Sequence, residues 1–259
     1  SANGGQCELH ISGGIIYTGS IGGGAPKYEG NSDVNKHGFA IGAAQVYITD
    51  GYLHGQVVME GTGSVFEMSD GEINNGPVND GNNYKFVKHS GGAVYVKTGN
   101  AILSGGIIEN CSSTNGGAVY VNGGDFEISG TGKITDCQAT EGGAVYVSGG
   151  NATINGGTII NNGATNGGGI YISNGNMTMN GGTISNNQAT ENGGGIYASS
   201  DTQDLDITIT SGTIVGNIAS GHGGGVGVNM GTGLSANVTI GLETCNGLDE
   251  SHSHPVIMD

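Results

Sequence analysis

Gly116-Gly117-Ala118-Val119-Tyr120-Val121 is the stretch on which the reading of this chain turns. It returns as Gly91-Gly92-Ala93-Val94-Tyr95-Val96 and as Gly142-Gly143-Ala144-Val145-Tyr146-Val147. Variants begin at Gly167 (Gly-Gly-Gly-Ile-Tyr-Ile), Gly193 (Gly-Gly-Gly-Ile-Tyr-Ala) and Gly223 (Gly-Gly-Gly-Val-Gly-Val). The steps between starts are 25, 26, 25, 26 and 30 residues. A fixed period of this size is the mark of a solenoid, in which each repeat buries its apolar face against its neighbours.

Within one period, three short apolar runs are separated by Gly and Asn. From Gly142 these are Val145-Tyr146-Val147, Ala152-Thr153-Ile154 and Thr158-Ile159-Ile160, followed by Asn161-Asn162-Gly163-Ala164-Thr165. Runs this short, alternating with period two, are strands. Three strands per coil of about 25 residues, paired in parallel with their copies about 4.8 Å away, make a triangular coil. Crossovers between parallel strands are right-handed, so the expected fold is all-β, a right-handed parallel β-helix. Ala101/Leu103, Phe126/Ile128, Ala152/Ile154, Met177/Met179 and Ile207/Ile209 are expected inside, with Glu127, Thr153, Thr178 and Thr208 between them facing out. Ile108, Ile134, Ile159, Ile184 and Ile214 form an aliphatic column. Cys111 and Cys137 share a column of neighbouring coils, facing inward at a spacing that allows a disulfide but read as free thiols, and Cys7 and Cys245 belong to opposite ends of a rod and are not expected to pair. The column 100, 125, 151, 176 and 206 is Asn or Asp and is assigned to a turn with left-handed conformations. The Gly pairs are assigned positive φ at the corners.

Away from 91–230 the pattern loosens. Ile11-Ser12-Gly13-Gly14-Ile15-Ile16 matches Leu103-Ser104-Gly105-Gly106-Ile107-Ile108, and Asp50-Gly51 matches Asp70-Gly71 at a step of only 20 residues. Residues 19–42 read as a loop or an irregular first coil, 77–90 as a second insertion, and 241–259 as a C-terminal cap or tail. The whole of 1–259 reads as one β-helix domain. The absence of a leader before Ser1 suggests part of a longer secreted protein.

Composition narrows the function. Six Lys, no Arg and a net charge of -16 argue against nucleic acid, whose binding rests on cations neutralising phosphate. No apolar run of spanning length exists, so this segment is not expected to insert in a membrane. The four Cys form no Cys-x-x-Cys pair, and the Gly-Gly-x-Gly-x-Asp repeat that binds Ca²⁺ elsewhere is missing. No metal, cofactor or catalytic residue is assigned. Asp201, Asp204, Asp206, Asp70 and Glu72 read as turn carboxylates on a solvated edge, and His252 and His254 as part of a tail. The sequons at Asn110, Asn151, Asn176 and Asn237 follow from a composition rich in Asn and Thr.

Gly-Gly-Ala-Val-Tyr together with Ile184-Ser185-Asn186-Asn187 resembles the repeats of chlamydial polymorphic outer-membrane proteins and of other adhesin-like β-helix surface proteins. The resemblance covers residues 91–230 and, less clearly, 1–76. It implies bacterial surface display or secretion, and adhesion to a host glycan or a surface or matrix protein. It implies no chemistry. The alternative class is a carbohydrate-active enzyme, a polysaccharide lyase or glycoside hydrolase, since both occur on β-helix scaffolds. Lys85, Lys88, Lys97 and His89 around the second insertion are the residues to watch for it.

The candidate ligand-binding residues are Tyr95, Tyr120, Tyr146, Tyr171 and Tyr197, one per coil. With Val119 and Val121 inward, Tyr120 faces out and the rings form a strip. The small Ala or Gly two residues before each Tyr is expected to leave room beside the ring. The strip reads either as a stacking ladder that stabilises the sheet or as a contact surface for glycan or protein. A third arrangement puts Tyr inside and Val outside.

Overall fold

A computed structural model describes residues 7–17, 38–41, 44–74, 91–240 and 256–257. Among them there is no helix, and every strand pairing is parallel. The chain is a parallel β-helix. One face, here the tyrosine face, stacks Gly38–Ile41, Gln56–Met59, Val94–Val96, 119–121, 145–147, Ile170–Ile172, Ile196–Ser200 and Val226–Met230. The second, the threonine face, runs through 7–11, 44–48, Val65–Met68, Asn100–Leu103, 125–128, 151–154, 176–179, 205–209 and Ala236–Ile240. The third runs from 15–17 through Ile107–Glu109, Lys133–Thr135 and Thr158–Ile160 to Val256–Ile257.

Register is strict. Tyr120 lies opposite Tyr146, Thr153 opposite Thr178 and Ile134 opposite Ile159. The two expected apolar columns are buried, and the residues between them are partly exposed. Each buried Ile contributes about 1.5–3 kcal/mol, so a coil is stabilised by its neighbours and not by its own short strands.

Three features go beyond the repeat pattern. First, a fourth, short ladder joins Gly163–Ala164, Gln188–Ala189 and Ile218–Ala219 at the long corner, continued downward by bridges from Ser112 to Gln138 and from Gln138 to Gly163. In the early coil of Ala44–His54 this side is missing: Gly55 alone joins Ala44–His54 to Gln56–Met59, where residues 110–118 make the same passage later. That shortcut explains the 20-residue step. Second, Gly38–Ile41, within the stretch read as a loop or irregular coil, is a strand on the tyrosine face. Residues 77–90 and most of 241–259 lie outside the described residues, as does Cys245.

Third, the left-handed residues are not where the Asn/Asp column placed them. Positions 100, 125, 151, 176 and 206 are extended strand; glycines apart, the positive φ values among the described residues belong to Asn110 (53°), Asp136 (55°), Asn161 (58°) and Asn186 (52°). The reason is local. These four open the long corner, and Asn and Asp carry the lowest cost of any side-chain-bearing residue in that region. The extended column instead forms an external ladder, Asn176 Nδ2 donating to Asn151 Oδ1 (3.3 Å) and Asn151 Nδ2 to Asp125 Oδ1 (2.7 Å).

Immediately after these four left-handed residues, and after the left-handed Gly216 (65°) of the next coil, comes a buried column: Cys111, Cys137, Asn162, Asn187 and Asn217. Both thiols are free, and each donates to the carbonyl two residues back, Glu109 and Thr135, at 3.2 Å. Burial pushes the Cys137 thiol well up, with Cys111 beside it adding to the rise. The three asparagines form an internal amide ladder that takes up the main-chain groups of the corner.

Candidate functional site

The tyrosine column is built by the alternation of strands only three residues long. In Val94–Val96 and its copies the outer two residues are buried and the central Tyr is partly exposed. Tyr therefore faces out, and the arrangement with Tyr inside is excluded for these coils. Ring centroids follow one another at 5.1, 5.1, 5.3 and 5.5 Å from Tyr95 to Tyr197. The interplanar angles alternate between near-parallel (13° and 21°) and tilted (47° and 49°). Both geometries are favourable for aromatic pairs.

The hydroxyls are occupied. Asn122 Nδ2 donates to Tyr95 OH at 3.0 Å, Ser148 Oγ to Tyr120 OH at 2.7 Å, Tyr146 OH pairs with Ser173 Oγ at 3.0 Å, and Tyr171 bonds Ser199. Each partner stands two residues after the Tyr of the next coil, so these four phenols are each clasped to the coil above. At the upper end Gly227 replaces Tyr, and the Tyr197 ring packs over it with only 7 % exposure. The Ala expected to leave room beside each ring does not do so: Ala93, Ala118 and Ala144 are buried, because the backbone at the corner turns that position inward.

Burial and charge act on the phenols. Burial raises Tyr171 to about 12 from 10.0, the Glu141 carboxylate pushing in the same direction and the Ser199 hydrogen bond opposing. Burial raises Tyr120 as well, and raises the carboxyl of Glu141, with Asn166 opposing and Glu191 adding. A group whose protonated form is favoured by folding contributes stability below its unfolded value and loses it as pH rises through the folded one. The clasped ladder is thus expected to weaken between pH 10 and about 12. Spectrophotometric titration should show a phenol step at about pH 12 that Tyr171→Phe removes and that Glu141→Gln brings forward; the absence of any step that high would contradict this.

No family model, curated protein or solved structure matches this chain.

The remaining expected site residues separate. Asp204 Oδ1 accepts from Ser235 N (2.7 Å) and Asp206 Oδ1 from Asn237 Nδ2 (2.9 Å). Asp70 and Asp50 each accept from the following glycine N–H at 2.7 Å. Glu72 accepts from Asn74 at 3.2 Å. These are turn and ladder carboxylates. Lys97 forms an exposed ion pair with Glu60 at 3.4 Å, while Lys85, Lys88, His89, His252 and His254 lie outside the described residues. Among the described residues no group of three or more His, Cys, Asp and Glu is placed to hold a metal ion, and no helix is long and apolar enough to cross a membrane.

A second surface feature was not singled out from the sequence. On the threonine face a trough of about 400 Å³ is lined by the corner column Asn100, Asp125, Asn151 and Asn176 and by the outward column Ile102, Glu127, Thr153 and Thr178. Among the described residues, the Glu127 carboxylate and the Thr153 and Thr178 hydroxyls have no hydrogen-bond partner within the chain. The sequence signal was there, as Asn-Ala-Thr, Asn-Met-Thr and Asp-Ile-Thr at the coil period. Alternation alone does not say which outward groups are already engaged, so the pattern is indistinguishable from composition at that level.

Proposed function

We propose that this chain is a non-catalytic, extracellular β-helix segment of a bacterial surface protein, an adhesin or the stalk that carries one. The observation that carries this reading is the in-register repetition of outward side chains, Tyr over Tyr and Thr over Thr, along successive coils. Such a surface offers a partner several copies of one contact at one spacing, and linked weak contacts add up to useful avidity. The resemblance of the repeats to chlamydial polymorphic outer-membrane proteins supports display at the cell surface. The partner is a host glycan or a surface or matrix protein; the charge of -16 disfavours nucleic acid and other polyanions. The candidate contact strip is Tyr95, Tyr120, Tyr146, Tyr171 and Tyr197; the first four present ring surface with their hydroxyls engaged, and the buried Tyr197 closes the upper end.

Two experiments test it. An antibody raised against the chain should label intact cells of the source organism; label confined to broken cells overturns surface display. In a screen against host-type glycans and matrix proteins, changing Tyr120, Tyr146 and Tyr171 to Thr, which keeps strand preference, should abolish binding if the strip is the contact. Binding that survives in a folded triple variant removes the strip from the reading. The alternative, a carbohydrate-active enzyme, draws support from Asp125 and Glu127 sharing one trough. New reducing ends released from a polysaccharide would favour it.

A further inference from the structure

We propose that the trough on the threonine face binds an extended, neutral glycan lying along the rod axis, with one sugar ring per coil. The inference deepens the surface-binding reading and rests on it, but moves the contact from the tyrosine face to the threonine face. The decisive contrast is between the two outward columns. On the tyrosine face four successive phenols are each hydrogen-bonded to the next coil. On the threonine face Glu127, Thr153 and Thr178 keep their hydrogen-bonding capacity unspent within an indentation of about 400 Å³, a volume in the range of small-ligand sites.

The chemistry in the trough selects the ligand. Its polar groups are amides, hydroxyls and two carboxylates, with no Lys or His among the lining residues. Carboxylates and amides pair with vicinal hydroxyls as acceptors and donors at once, which suits a sugar. Two carboxylates without a cation repel an anionic polymer, so a uronate or sulfated chain is disfavoured. Ile102 and the Thr methyls supply the apolar patches against which the C–H face of a ring can rest. The corner amides are already oriented, since Asn176 donates to Asn151 and Asn151 to Asp125. Each of the two donating amides spends one N–H on the ladder and keeps the second. Side chains held in place before binding lose less entropy when a ligand arrives.

The geometry selects the orientation. Along a strand the trough offers only two outward positions, such as Asp125 and Glu127. Along the axis it offers the same pair in four successive coils, through 100/102, 125/127, 151/153 and 176/178. Three steps at about 4.8 Å make roughly 14 Å. One pyranose of an extended chain advances by about the distance of one coil, so successive rings meet successive rows without strain.

The test is calorimetric titration of the folded chain with cello-, xylo-, manno- and chito-oligosaccharides, from disaccharide to hexasaccharide. Affinity for at least one series should rise with length and level off once the trough is filled. The double variant Thr153→Val/Thr178→Val, which keeps shape and strand preference on an outward face, should bind about tenfold more weakly through the loss of two hydrogen bonds. The Tyr120, Tyr146 and Tyr171 triple variant should bind as the parent does. No binding in any series overturns the proposal, as does a double variant that binds unchanged. Loss of glycan binding in the Tyr variant alone overturns the trough and leaves the surface-binding reading standing. Cleavage of the bound oligosaccharide would support the trough as the site and overturn the non-catalytic reading.

Discussion

Asn187→Ala is expected to destabilise the chain by about 4 kcal/mol, read as a fall in the chemical-denaturation midpoint. Asn187 is fully buried. Its Oδ1 accepts from Asn162 N at 2.9 Å and from Asn162 Nδ2 at 3.0 Å, and its Nδ2 donates to Ile159 O at 3.1 Å and to Asn217 Oδ1 at 2.9 Å. Alanine leaves the Asn162 N–H and the Ile159 carbonyl without these partners and out of reach of water. Each such group costs about 1–3 kcal/mol, and the lost side-chain volume adds a cavity. The control is Asn180→Ala. Asn180 also belongs to an amide ladder, donating to Asn155 Oδ1 at 2.9 Å, but it is exposed. Water replaces that bond, and the loss should stay below about 1 kcal/mol. Equal effects at the two positions would refute burial as the cause. Because a solenoid coil contacts only its neighbours, the Asn187 variant should also lower the denaturant slope as upper and lower coils uncouple.

Gly143→Ala should cost about 3 kcal/mol or more. In the pair that opens each repeat, the two glycines do different work. Gly142 has φ of 66°, a left-handed value. Gly143 does not; its constraint is proximity. A Cβ there would fall far inside contact with the carbonyl oxygen of Gly168 on the next coil, and 2.7 Å from that of Gly163. The coils are fixed at this point by main-chain bonds, Gly142 N to Asn166 O at 3.0 Å and Gly143 N to Gly167 O at 2.9 Å, so no flexible side chain can yield. Overpacking of this kind ordinarily costs 1–3 kcal/mol, more where backbone must move. Gly163→Ala is the matched control. Its Cβ would meet nothing closer than the Gln188 carbonyl oxygen at 3.9 Å, and Gln138 and Gln188 already occupy that column. It should be neutral within about 0.5 kcal/mol. If both glycines tolerate alanine, close coil approach is not what the Gly-Gly pair serves.

What the sequence determined by itself is everything that repeats. The 25-residue step, the alternation Val-Tyr-Val and the Ile column set the coil, its three main faces and which side chains point inward. These are local rules, and they hold because parallel in-register stacking copies one coil onto the next. What only the tertiary structure decided is what happens between coils. The early 20-residue step and the later 25-residue step differ because Gly55 closes a corner that elsewhere carries a fourth ladder. The Asn column expected to be left-handed is extended, while Asn110, Asp136, Asn161 and Asn186 take that conformation instead. The sequence singled out the tyrosines as the contact strip, since a phenol once per coil looks available. Tertiary packing shows those hydroxyls held by residues 27 or 28 positions away, while Thr153 and Thr178 remain open. Whether a polar group is spent or free depends on the neighbouring coil, and periodicity places that neighbour without saying which of its atoms comes within hydrogen-bonding distance.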